Sequence, residues 1–93
     1  MILSFKDKSA EALWNGLAPK GFPSDLVRPA QRKLAMLAAA VGLQALRQPP
    51  ANRLEALHGD RAGQHSIRIN DQWRICFVWC DGHAADVEIV DYH

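Results

Sequence analysis

Ninety-three residues, 48% of them apolar and 23% charged, suffice for one domain around one modest core, residues 1–93, and are too few for two. No apolar run approaches the roughly 18 residues of a membrane span, and the opening MILSFKDKSA turns charged too early for a signal peptide, so a cytoplasmic protein without a membrane partner is expected. The formal charge is only +1 but unevenly spread: residues 1–80 hold all eleven Lys and Arg against six Asp and Glu, while residues 81–93 hold four acids and no cation. That balance fits either a local polyanion site or a scattered solvated surface, and falls far short of a general nucleic-acid coat.

In chain order, the apolar run at residues 2–5 predicts a short strand. Ser9 offers an N-cap with Glu11 in the first turn, and Asn15-Gly16 stops that first helix. Residues 17–23, with two prolines and a glycine, read as loop. Ser24 and Asp25 open a second helix with the apolar face Leu34, Leu37, Ala38 and Val41; Pro29 either costs it a hydrogen bond or marks its true first turn. Gly42 weakens it, residues 43–46 add a further turn, and Pro49-Pro50 ends it. From Asn52 the apolar period shortens to two, predicting strands at 53–58, 65–70, 73–80 and 84–90. A strand, two helices and an antiparallel meander make an α+β domain with the helices on one sheet face.

Both cysteines, Cys76 and Cys80, fall in one predicted strand about 13 Å apart, beyond disulfide reach, so free thiols are expected. Cys80 and His83 lack a second pair of ligands, and no metal site or other cofactor is expected.

Register gives the meander its chemistry. Ile67 and Ile69 share one side of their strand; Trp73, Ile75, Phe77 and Trp79 share one side of the next. A two-residue turn at Asn70-Asp71 would set Ile67 against Arg74, whereas a three-residue loop, 70–72, pairs Ile69 with Trp73 and Ile67 with Ile75. It also sets Arg68 directly opposite Arg74. The same test on the next turn selects a three-residue loop, 81–83, pairing Phe77 with Val87 and Ile75 with Ile89, and setting Arg74 opposite Val90 and Cys76 opposite Glu88. Like charges facing each other across a sheet repel, so Arg68 and Arg74 suit a bound anion; the alternative is that they snorkel or pair with Glu88 on the outer face.

The chain closes on Asp91, Tyr92 and His93, an acid, a phenol and an imidazole beside two arginines. Such groups suit phosphodiester cleavage, in which a base takes a ribose 2′-hydroxyl proton, a donor protonates the leaving 5′-oxygen and cations stabilise charge on phosphorus. The alternative is a frayed terminus with an ordinary surface histidine.

The runs PPANRLE, LHGDR and SIRINDQWRICF, followed by the terminal DYH, resemble the HigB toxins, the plasmid maintenance killer proteins of the RelE/ParE superfamily of type II toxin-antitoxin systems. The likeness takes in SFKDK and RKLAML as well, and so nearly the whole chain. It implies a RelE/ParE-like fold and a metal-independent, ribosome-dependent messenger RNA endonuclease. The implied partners are the ribosome, its messenger RNA and a HigA-like helix-turn-helix antitoxin, with operator DNA contacted only through that antitoxin. It assigns Arg68 and Arg74 to phosphate contact or charge stabilisation, Asp91, Tyr92 and His93 to the catalytic end with His93 leading proton transfer, and Arg61 to RNA contact unless it pairs with Asp60 or a neighbouring loop. Arg53 in the first motif is a further RNA-contact candidate. Some members carry a histidine several residues before the GDR turn; Glu55 and His58 stand in that neighbourhood here, and His58 is the candidate imidazole. His65 stands where a larger aromatic is expected. The exposed parts of the helices around Trp14, Leu17 and Phe22 are the candidate antitoxin dock, unless Trp14 is core. Fold alone leaves the target open, because ParE-like members poison gyrase, and a catalytically silent antitoxin-binding domain would share the same outline.

Overall fold

The computed structural model describes residues 1–91. Two helices, α1 (Lys8–Trp14) and α2 (Val27–Ala39), precede a four-stranded antiparallel sheet in the order β1 (Glu55–Ala56), β2 (Gln64–Arg68), β3 (Trp73–Cys80) and β4 (His83–Asp91). Residues 2–5 lie parallel alongside β4 rather than as a full strand, bridging Ile2 to Ala84 and Phe5 to Val87. The α+β layout with helices on one sheet face is the expected one.

The caps show why the helices start where they do. Asp7, not Ser9, caps α1: one carboxylate oxygen accepts from the Ala10 N–H at 2.6 Å while the other accepts from the Ile89 N–H at 2.8 Å. A serine hydroxyl so placed would hold one of those donors; the carboxylate takes both and so ties helix to sheet. Asn15 and a left-handed Gly16 end α1 as expected. A 3-10 turn, Ser24–Leu26, leads into α2, and Pro29 falls in its first turn, where an amide would have no intrahelical acceptor. The helix stops at Ala39, short of Gly42. Val41, expected on the core face, is 89% exposed, and the 3-10 turn Leu43–Arg47 inserts Leu46 into the core instead.

Leu13, Leu34, Leu37 and Leu46 from the helical layer meet Ile67, Ile75, Phe77 and Val87 from the sheet, all but fully buried. Each such side chain contributes roughly 1.5–3 kcal/mol. The strand expected at 53–58 shrinks to two residues, because the 3-10 turn Pro50–Asn52 and a left-handed Arg53 (φ 45°) precede it.

The first hairpin has the expected register: Ile67 pairs with Ile75 and Arg68 with Arg74. Asn70 Oδ1 caps the 70–72 loop by accepting from the N–H groups of Gln72 and Trp73 at 2.9 and 2.8 Å. The second hairpin differs at its tip. Cys80 pairs with His83 across a two-residue turn in which Asp81 (φ 48°) and Gly82 (φ 82°) are both left-handed, the type I′ pattern. An extra residue in β4 then corrects the register: Val78 pairs with Ala85 but Cys76 with Glu88, so Phe77 faces both Asp86 and Val87. Asp86 has φ 50°, and its N–H donates to Ser4 Oγ at 2.9 Å. Beyond this bulge Ile75 pairs with Ile89 and Arg74 with Val90, as apolar pairing requires. The expected three-residue tip is thus replaced by a tighter turn plus a bulge that reaches the same alignment.

Candidate active site

The sheet face away from the helices carries two cross-strand rows that matter. One runs Arg68, Arg74, Val90; the next runs Glu55, Ser66, Cys76, Glu88. Arg74, only 8% exposed, is the best-anchored cation. Its Nε donates to Ser66 Oγ at 2.8 Å, its Nη2 to the Arg53 carbonyl at 2.6 Å and its Nη1 faces Glu55 Oε1 at 3.7 Å. The left-handed turn at Arg53 aims that carbonyl at the guanidinium, so the backbone of Arg53 positions Arg74 while its own side chain is exposed.

Arg68 lies directly across the ladder. Its Nε donates to the Asn70 carbonyl at 3.0 Å and its Nη2 is ion-paired with Asp71, which is almost wholly exposed. The alternative that both arginines pair with Glu88 does not hold: Glu88 is taken by Lys6 at 3.2 Å and Arg61 at 3.1 Å. Arg61 therefore pairs with Glu88 rather than Asp60, and also donates to Gln64 Oε1 at 3.1 Å. Beneath this network the Cys76 thiol is fully buried. Burial pushes its pKa above the ordinary 9.0, against the pull of Arg61.

Of the sequence-predicted residues, Arg68 and Arg74 are thus brought together on one face, with Arg61 on the next stretch of that face. Asp91 ends β4 opposite Trp73, so alternation puts it on the helix side, where its Oδ2 accepts from Gln72 Nε2 at 3.1 Å. His58 is exposed just before the 3-10 turn Gly59–Arg61. Tyr92 and His93 lie outside the described residues. Trp14 and Leu17 are exposed, while Phe22 is half-buried against Trp73, with ring centroids 6.0 Å apart. Beside that aromatic pair opens a cleft of about 210 Å³ bounded by Asp7, Lys20 and Ile89. The sequence reading missed Ser66 as the acceptor under Arg74; its only trace there is a hydroxyl at a buried position of the ladder.

The arrangement can bind an anion at modest cost. The counterions of Arg68 and Arg74, Asp71 and Glu55, are both exposed, and such pairs contribute only about 0–1 kcal/mol. A phosphate can displace them, while Ser66 and the Arg53 carbonyl keep Arg74 in place. Among the described residues no group of three or more His, Cys, Asp or Glu gathers as metal ligands, and none of the helices is long and apolar enough to cross a membrane. Both cysteines are free thiols.

Residues 3–93 match the family model of the RelE-like toxin of type II toxin-antitoxin system HigB. The chain is 42% identical over 87 residues to Toxin HigB-1 of Vibrio cholerae, covering 92% of each protein, and 32% identical to Endoribonuclease HigB of Proteus vulgaris over the whole of both. Its fold superposes on the YoeB-YefM complex of Staphylococcus aureus with a TM-score of 0.62, covering all of this chain and 98% of the other at 16% identity.

Proposed function

The chain belongs to the HigB family of RelE-like type II toxins, and from that premise we propose that it is an endoribonuclease that cuts messenger RNA on the translating ribosome. The observation that carries this reading is the facing pair Arg68 and Arg74, held by neutral acceptors and paired with exposed, displaceable carboxylates. The Proteus vulgaris relative is named an endoribonuclease, which supports the same chemistry.

In this reading the scissile phosphate sits over Arg68 and Arg74 Nη1, which stabilise the charge that builds on its oxygens during attack by the 2′-hydroxyl. His93 transfers protons, with Tyr92 and His58 as supporting acid-base groups; Asp91, turned to the helix side and held by Gln72, steadies the end of β4 instead. Arg61 and the Arg53 side chain contact flanking phosphates. A net charge of +1 supports delivery of the substrate by the ribosome, because few phosphate contacts give little affinity for loose RNA. A HigA-like helix-turn-helix antitoxin restrains the toxin in the cytoplasm and alone contacts operator DNA. The toxin-antitoxin assemblies among the structural neighbours support such a partner.

Adding purified protein to a translating extract tests the proposal. Message should be cut, Arg68→Ala should slow cutting at least tenfold with stability nearly unchanged, and His93→Gln should abolish it. Intact message together with DNA breaks on expression would transfer the protein to the gyrase-poisoning branch.

A further inference from the structure

The cleft beside the Phe22 and Trp73 rings has no part in holding the scissile phosphate, and its lining is chemically mixed. Phe22, Trp73 and Ile89 supply apolar wall, while Asp7, Ser9 and Lys20 supply one carboxylate, one hydroxyl and one ammonium around a space of about 210 Å³. The two ring planes stand at 49°, too tilted to cover each other's faces, so aromatic surface is left to line the space. A turn presents the cation. The Phe22 N–H donates to the Pro19 carbonyl at 3.1 Å with Gly21 at φ 80° in the third position, the type II pattern, and Lys20 and Phe22 thereby reach the same rim.

The polar groups of the cleft retain bonding capacity. Each oxygen of Asp7 accepts one backbone N–H, from Ala10 and from Ile89, which leaves a lone pair on each for a donor in the cleft. Ser9 Oγ and Lys20 Nζ have no hydrogen bond or ion pair among the described residues. One negative and one positive side chain make the lining neutral overall. That disfavours a phosphate or an acidic peptide and suits an uncharged ligand with donors and acceptors along one edge. Between aromatic walls, such a ligand is a flat heterocycle, and a nucleobase has that shape and that edge.

Its place in the fold connects the cleft to the cationic pair. Trp73 and Arg74 are consecutive on β3 and so point to opposite faces, and the end of the sheet that separates them is formed by the 70–72 loop and the last residues of β4. An RNA strand with its phosphate on Arg68 and Arg74 can turn a neighbouring base over that end into the cleft. We propose that the cleft holds an unstacked base of the substrate RNA beside the cut, against Trp73 and Phe22, with its amino group donating to Asp7 and its ring acceptor facing Lys20 and Ser9. Guanine matches best: its N1–H and amino donors stand side by side before the two carboxylate oxygens, and its O6 is left for the ammonium. This rests on the endoribonuclease reading and adds a base preference to it. An apolar antitoxin side chain would leave the carboxylate and the ammonium without matching groups.

Titrating uncharged ribonucleosides into isotope-labelled protein, followed by NMR, tests the proposal, since nucleosides carry no phosphate for Arg68 and Arg74. Guanosine should shift the Trp73 indole N–H resonance and leave that of exposed Trp14 unmoved, and uridine, which has no amino group, should bind about fivefold more weakly. Lys20→Met should weaken guanosine binding about tenfold, as loss of a hydrogen bond from a charged donor requires. Its unfolding midpoint should stay that of the wild type, because Lys20 is exposed. In the translating extract the wild type should favour guanine at one fixed position beside the cut, and Lys20→Met should flatten that preference while the maximal rate holds. A Trp73 resonance unmoved by guanosine, equal binding of guanosine and uridine, or an unchanged cutting pattern in Lys20→Met would each overturn the proposal. So would loss of cognate antitoxin binding by Lys20→Met with Trp73 unmoved by nucleosides, which would give the cleft to a protein partner. Lys20-dependent guanosine binding in a wild type that cuts no message would instead remove the endoribonuclease reading and leave the base pocket standing.

Discussion

Arg74 and Ser66 make a prediction that separates an anchored guanidinium from one merely lying on the sheet. Both residues are buried and joined by the 2.8 Å Nε to Oγ bond. Ser66→Ala removes that acceptor and leaves a buried, charged N–H facing a methyl group. Hydrogen bonds to charged groups contribute about 1.5–3 kcal/mol, so the variant should lose about 2 kcal/mol. In an Arg74→Met background the donor is gone, and the same Ser66→Ala change should cost no more than about 0.5 kcal/mol. The coupling is then about 1.5 kcal/mol, well outside the few tenths expected of independent sites. Urea denaturation of the four proteins measures it, read as midpoint shifts at constant slope; with a slope near 1 kcal/mol/M, Ser66→Ala alone should move the midpoint by about 2 M. Equal cost of Ser66→Ala in both backgrounds would refute the reasoning, and with it the claim that Arg74 stays in place when Glu55 is displaced.

The β4 bulge predicts that Asp86→Val, a branched side chain at φ 50°, destabilises by about 1–2 kcal/mol, whereas Asp86→Gly is close to neutral; urea midpoints decide it. The two thiols should differ in kind. At pH 8 a disulfide reagent should label exposed Cys80 rapidly and buried Cys76 only slowly, the two converging in urea. Because folding raises the Cys76 pKa, its contribution to stability is fully present below the ordinary value of 9.0 and is lost as pH rises past it. A Cys80→Ser protein should therefore lose stability above pH 9, and a flat profile there would count against the burial argument.

How much of this was legible beforehand depended on what kind of force set each feature. The facing of Arg68 and Arg74 follows from apolar alternation together with a short loop at 70–72, since a one-residue slip sets Arg74 against Ile67. The tip of the second hairpin was misread for a related reason. Apolar pairing constrains the alignment at Ile75 and Ile89 but not the route to it, and a tight turn plus a left-handed Asp86 reaches the same alignment as a three-residue loop. Asp7 was passed over for Ser9 because its advantage comes from the Ile89 amide, 82 positions away. Val41 was assigned to the core by helical period, yet Leu46 occupies that space, and periodicity carries no information about which of two nearby leucine-sized side chains arrives first. The burial of Asn52, whose side chain donates to the Leu46 carbonyl, left no trace, because a polar residue is buried only where distant groups happen to satisfy it. The residues of the candidate site that were found are those that repeat with the strand; those missed are held by contacts between elements.

The bulge in β4 has a bearing on how this chain can change length. It acts as a vernier: one residue gained at the hairpin tip and one lost at position 86 leave every pairing below them where it was, whereas the loss at 86 alone, with the tight turn kept, slides Val90 past Arg74 and turns that arginine's cross-strand neighbours inside out. A chain that straightens this strand by losing the residue at 86 should accordingly carry a longer tip, while a longer tip by itself leaves the strand pairing as it is.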